Sequence, residues 1–124
     1  MTILGVGVDA VDIGRFRTVL ARRPGIADRL FSDAERAYAA RHADPAPRLA
    51  VRFAAKEAVM KALGVGLGAF RLRDVEVVRA PNGAPGVALT GAAAGLSERA
   101  PVRAWHLALT HSDTVALAFV IAES

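Results

Sequence analysis

From Arg52 to Gly64 the chain reads Arg-Phe-Ala-Ala-Lys-Glu-Ala-Val-Met-Lys-Ala-Leu-Gly, with Arg52, Lys56, Glu57 and Lys61 set among apolar residues. At about 100° per residue, Arg52 and Lys56 fall together on one side of a helix and Glu57 and Lys61 on another. Phe53, Val59, Met60 and Leu63 lie among them, so the charges interrupt a surface that should pack. A buried charge is costly unless a counter-ion, a metal or a ligand phosphate pairs it. The pattern therefore asks for an anionic ligand. The plain alternative is an i,i+4 pair between Glu57 and Lys61, about 0.2–0.5 kcal/mol, with Arg52 and Lys56 extending their heads to water over an apolar body.

Asp9 closes the first apolar run of the chain. With Glu57 it forms a candidate Mg²⁺ site, because that ion takes one or two carboxylates and completes its octahedron with water and substrate phosphates. Lys61, one turn beyond Glu57, would neutralise an adjoining phosphate, and Lys56 or Arg52 could hold another. Together these residues describe a metal-plus-cation clamp for phosphoryl chemistry. His106 and His111, five apart on one expected strand, point to opposite faces, so one of them could serve the site. The three histidines have no zinc-ligand spacing. His111-Ser112-Asp113 are consecutive in a turn and cannot adopt triad geometry.

Several elements must position these groups. Ile3–Val8, β-branched and carrying Gly5 and Gly7, reads as a strand approached closely by other backbone. Asp12 is the expected N-cap of a helix with Ile13, Phe16, Val19 and Leu20 at helical spacing, stopped by Pro24-Gly25. Ser32-Asp33-Ala34-Glu35 has the form of a capping box opening a helix over Asp33–His42. The charged helix follows Asp44-Pro45-Ala46-Pro47 and stops at Gly64, the usual left-handed terminator. Val75–Val78 and Val87–Thr90 form a hairpin around Pro81-Asn82-Gly83. Gly91–Arg99 is a short helix, and Val102–His111 with Thr114–Ala122 form a closing hairpin.

At 124 residues the chain fits one domain, 1–124. Its apolar share of 53% against 23% charged excludes general disorder and points to apolar surface covered by another subunit. No run reaches the roughly 20 apolar residues of a membrane span, and Met1–Val8 lacks a signal-peptide core, so a cytoplasmic protein is expected. The absence of cysteine removes disulfides, thiolate metal sites and cysteine nucleophiles together. The net charge of +4 suits an acidic protein or a phosphorylated small molecule. Few aromatics and no basic run argue against nucleic acid, whose binding would instead show steep salt dependence.

Three blocks together resemble the holo-acyl-carrier-protein synthases, the short trimeric class of 4′-phosphopantetheinyl transferases. They are Gly5-Val6-Gly7-Val8-Asp9 with Ile13 and Arg15-Phe16, then Arg52–Ala58 with Lys61-Ala62-Leu63-Gly64, and Trp105-His106 through Leu109-Thr110-His111-Ser112. The resemblance spans essentially the whole chain, and the central block is the most specific. It implies an α+β fold in which an antiparallel sheet packs with helices, assembled as a homotrimer with active sites between subunits.

The implied reaction moves the phosphopantetheine arm of coenzyme A to a serine of an acyl carrier protein and releases adenosine 3′,5′-bisphosphate, in support of fatty-acid biosynthesis. Asp9 and Glu57 match the family's metal carboxylates, and Lys61 matches the lysine that meets the coenzyme A pyrophosphate. Gly64, Pro85, Thr110 and His111 fall in segments that line the cofactor, with Arg52 and Lys56 as phosphate contacts. Glu57 is the expected base for the carrier serine, and His111 the second choice. Arg15 matches an arginine that contacts the acidic carrier, and Arg22 lies one heptad on. Where the family often has Asn-Gly-Lys-Pro, this chain has Asn82-Gly83-Ala84-Pro85, so the resemblance implies either weaker phosphate affinity or a basic contact supplied from Arg79. The alternative to an enzyme is a module that binds coenzyme A or a nucleotide without turnover.

Overall fold

The first and last strands pair with each other. In the computed structural model, which describes residues 1–124, β1 (Ile3–Asp12) runs antiparallel to β5 (Val115–Glu123), with Asp9 opposite Ala118. On its other side β5 pairs with β4 (Ala104–His111), giving a three-stranded sheet of order β1-β5-β4. The hairpin β2 (Val75–Arg79) and β3 (Pro85–Leu89) forms a separate two-stranded sheet. The fold is α+β with antiparallel strands, as the sequence leads one to expect.

Five helices complete it: α1 (Ile13–Arg22), α2 (Ile26–Leu30), α3 (Asp33–Ala40), α4 (Ala46–Ala62) and α5 (Gly91–Arg99). Asp12 caps α1 by accepting from Arg15 N at 2.7 Å. The capping box of α3 is formed, Ser32 and Glu35 each satisfying the other's backbone N–H. Pro47 sits in the first turn of α4, where a missing N–H costs nothing. β1 continues past Asp9 to Asp12, because its register with β5 offers partners that far. The short α2 and the 3₁₀ turn Leu72–Asp74 had no periodic signal to reveal them.

α4 lies on one face of the three-stranded sheet, and two glycines set how closely. A methyl group on Gly5 would stand 1.8 Å from Ala62 O, and one on Gly7 would stand 1.8 Å from Ala58 O. Alanines 54, 55, 58 and 62 of the helix and Ala118, Val120 and Ala122 of β5 complete this dry, small-residue layer. A second core joins α1, α3 and α4 around Ile13, Phe16, Phe31 and Leu49, with the Phe16 ring 5.4 Å from Phe53.

The opposite face of the same sheet is apolar and bare. By strand alternation it carries Val6 and Val8 of β1 and Phe119 of β5. These are 50%, 49% and 39% exposed, well above what a core strand shows.

Candidate active site

Gly5, Gly7 and Asp9 are spaced by two on β1, so all three face α4. The glycines let the helix settle, and the settled helix brings Glu57 and Lys61 to Asp9. Lys61 Nζ donates to Asp9 Oδ1 at 3.2 Å and to Val8 O at 2.9 Å. The i,i+4 pair with Glu57 is not formed. Asp9 and Glu57 together line a cavity of about 300 Å³ with Asp12, Arg15, Phe16 and Phe53. Glu57 is half-buried. Burial, and secondly the Asp9 carboxylate, push its carboxyl above the usual range, and Lys61 offsets this only in part.

A pair of carboxylates holding excess negative charge is a fitting seat for a divalent cation. Nowhere do three or more His, Cys, Asp and Glu side chains gather in a metal-binding cluster. Two carboxylate donors match the demand of Mg²⁺, which retains water and recruits substrate phosphate oxygens. Asp9 and Glu57 are the residues that would hold it.

The chain's two lysines take opposite roles. Lys61 is exposed at the carboxylates, whereas Lys56 is completely buried. Lys56 Nζ donates to Glu35 Oε1 at 2.8 Å, to Leu72 O at 3.1 Å and to Val75 O. An ammonium has three donors, and all three are used. The expectation that Lys56 contacts a phosphate is therefore corrected. It is a structural cation that ties α4 to α3 and β2, and Glu35 Oε2 completes the tie by accepting Val77 N at 2.9 Å. Burial lowers the proton affinity of Lys56, and Glu35 opposes that effect.

Arg52 does not reach water either. It is 3% exposed at the floor of a cavity of about 320 Å³ lined also by Tyr38, Arg48, Arg79, Thr110 and His111. Its Nη1 donates to Arg48 O at 3.2 Å, and its buried Nε has no partner. Arg79 Nη1 donates to Gly83 O at 2.9 Å, which anchors it on the turn where Ala84 stands. Pro85 lies opposite Arg79 in the β2–β3 register. Three guanidinium groups around one opening give it a positive character that favours an anion.

The expected site residues therefore fall into two groups. Asp9, Glu57 and Lys61 gather at the β1 edge, and Gly64 follows Lys61 with φ +70°. Arg52, Thr110 and His111 gather at the β4 edge, beside Arg79 and Pro85. With β5 between them and two residues of register offset, Asp9 and His111 stand roughly 12 Å apart along the backbone. His106, on the bare face, meets Glu123 Oε1 at 3.1 Å instead. Arg15 borders the carboxylate cavity, and Arg22 is exposed at the far end of α1.

Sequence reading did not find Tyr38 or Arg48. Arg48 and Arg52 are four apart on one helix, a readable signal for a shared cationic face. Tyr38 lies three residues after Glu35, but its partners come from α4 and β2 and leave no local trace.

Comparison with known proteins decides the family. The model of the 4′-phosphopantetheinyl transferase superfamily matches residues 5–120. The chain belongs to this superfamily. A holo-[acyl-carrier-protein] synthase of Frankia alni is 49% identical over 124 residues, covering all of both chains. Among phosphopantetheinyl transferase structures, the holo-[acyl-carrier-protein] synthase of Neisseria meningitidis superposes with a TM-score of 0.90 at 30% identity, covering 99% of this chain and 100% of that one. The holo-(acyl-carrier-protein) synthase of Bacillus anthracis, solved in complex with CoA (3′,5′-ADP), gives 0.83 at 29% identity, covering 100% and 99%.

Proposed function

We propose that the chain transfers the 4′-phosphopantetheine group of coenzyme A to a serine of apo acyl carrier protein, releases adenosine 3′,5′-bisphosphate and requires Mg²⁺. The observation that carries this reading is the convergence of Asp9, Glu57 and Lys61 beside one cavity. Two carboxylates and an exposed ammonium with one donor still unused are what a metal-bound pyrophosphate needs. The full-length relatives named above act as support for the same activity. The reading places the reaction in the cytoplasm, in service of fatty-acid biosynthesis.

In the transfer, the carrier serine oxygen forms a bond to the phosphorus that bears pantetheine. The bond from that phosphorus to the bridging oxygen breaks, and adenosine 3′,5′-bisphosphate leaves. The serine proton passes to Glu57, directly or through a water held at the carboxylates. Lys61 lies where charge grows on the leaving phosphate and stabilises it there. Mg²⁺, when bound, supplies further charge neutralisation at the pyrophosphate. The arginine pocket with Thr110 and His111 takes the nucleotide end, so His111 serves binding and Glu57 serves as base.

The two groups of residues sit at opposite edges of one sheet and line separate cavities, so the reading completes each site with residues of a second copy. The bare face bearing Val6, Val8 and Phe119 offers the remedy, since self-association through it would bring the β4 edge of one copy to the β1 edge of the next. A homotrimer closes such a head-to-tail contact into a ring. Arg15 at the mouth of the carboxylate cavity and Arg22 along α1 would receive the acidic carrier.

The test is to incubate the protein with apo acyl carrier protein, coenzyme A and Mg²⁺ and weigh the carrier by mass spectrometry. A gain of one phosphopantetheine, lost when chelator is added, is the expected result. An unchanged carrier mass, with several apo carriers tried, would overturn the reading.

A further inference from the structure

Lys56 and Glu35 pose a question that stability does not answer. Both side chains are fully buried, and they meet at 2.8 Å. A buried ion pair seldom stabilises a fold more than apolar residues of the same bulk would, because the cost of stripping two charges of water largely offsets their attraction. What such a pair supplies is direction. Hydrogen bonds hold angles as well as distances, whereas apolar contact has no preferred direction.

α4 needs that direction where it carries Glu57 and Lys61. Toward β1 its contacts are small, with Ala58 and Ala62 resting on Gly7 and Gly5. Val59 and Met60 add apolar packing in the same core. These contacts fix how near the helix lies, and they hold its rotation and its slide along the strand only weakly. A turn of the helix about its axis would carry Glu57 away from the cavity it shares with Asp9.

Lys56 stands one residue before Glu57, about 100° round the helix, and its ammonium is held from outside α4. Nζ donates to Leu72 O and Val75 O at the entry to β2 and to Glu35 Oε1 of α3. Glu35 is fixed in turn, accepting Ser32 N on Oε1 and Val77 N on Oε2, each at 2.9 Å. No partner in this joint belongs to α4 or to the sheet that carries Asp9. It is an independent hold on the helix.

We propose that Lys56, locked on Glu35, is a positioning residue for the reaction: it sets the rotation of α4 that aims Glu57 and Lys61 at Asp9. Lys56 acts in this way without touching substrate. The inference rests on the reading of Asp9, Glu57 and Lys61 as the reaction centre.

The experiment compares the full chain with two variants in its solution assembly. Lys56→Met combined with Glu35→Gln removes both charges of the joint together. Glu35→Asp keeps both charges and draws the carboxylate back by one methylene. Each should lower kcat for carrier modification by about ten- to hundredfold, the cost of a misplacement near 1 Å, with KM for the carrier unchanged. Each should also show a smaller Mg²⁺-induced rise in melting temperature than the parent, which a merely structural joint would not alter. A folded variant that keeps the parent kcat and the parent Mg²⁺ shift would overturn the proposal, however much its melting temperature falls. A loss confined to KM for the carrier would overturn it too. If the double variant does not fold, Glu35→Asp decides alone. A parent chain that modifies no carrier would overturn the transferase reading, and the Mg²⁺ shift would then decide the positioning claim. A parent with neither transfer nor Mg²⁺ shift would overturn both.

Discussion

Gly7 lies against Ala58 so closely that a methyl group on it would meet the Ala58 carbonyl oxygen at 1.8 Å. This contact between a strand and a helix sets the distance from Asp9, two residues on, to Glu57 and Lys61. The strand and the helix supply the chemistry, but the missing side chain lets them meet.

Gly7→Ala should therefore destabilise the protein by roughly 3 kcal/mol or more, because the clash is with backbone that cannot step aside. Gly64→Ala meets nothing within 4 Å and suffers only from φ +70°, so about 1 kcal/mol is expected. Urea unfolding of both variants checks the ordering, and equal losses would contradict it.

Much of this arrangement was legible in the sequence, and the reasons differ by residue. Asp12, Ser32 and Glu35 announced their caps because a cap is satisfied within three or four residues. Helical spacing within α4 placed Glu57 and Lys61 on one side. Lys56 was misread because its partners, Glu35, Leu72 and Val75, lie 16 to 21 residues away. Spacing shows that a charge sits in an apolar face, and only the fold shows whether a ligand or another part of the chain pairs it. The β1–β5 pairing, which separates the two groups of site residues, likewise joins the ends of the chain and leaves no local pattern.

Lys56 gives a second test. Lys56→Met leaves the Glu35 carboxylate buried without its counter-ion and should cost about 3–5 kcal/mol. Adding Glu35→Gln should recover much of that loss, with a coupling of about 0.5–3 kcal/mol in a double-mutant cycle. A variant with unchanged stability and weakened coenzyme A binding would restore Lys56 as a phosphate contact.

Glu57 should trade stability for activity. Its folded-state carboxyl holds a proton more tightly than the unfolded one, so stability falls as pH rises through the window above the ordinary carboxylate value of about 4.3. Glu57→Gln removes that loss. The variant should melt with the parent near pH 4 and above it at pH 7, and should lose about 10²–10³ in kcat. Adding Mg²⁺ should raise the melting temperature of the parent and not of the variant. A variant that melts lower at pH 7 would refute the electrostatic account.

Arg15→Glu should raise KM for the carrier by about tenfold or more and leave binding of coenzyme A to the free enzyme unchanged. The effect should shrink as salt rises, since exposed charges are screened. An unchanged KM for the carrier would remove Arg15 from the docking surface.

The central claim is that the carboxylate group of one copy works with the arginine group of another, and mixing two inactive variants tests it most directly. Glu57→Gln, through kcat, and Arg52→Ala, through binding at limiting coenzyme A, are each expected to be nearly inactive alone. After subunit exchange in a one-to-one mixture, about a quarter of the sites formed between copies would carry both intact groups. Carrier modification should therefore return in the mixture. If both groups serve a single site within one chain, no intact site can form, and a mixture as inactive as its parts would contradict the account.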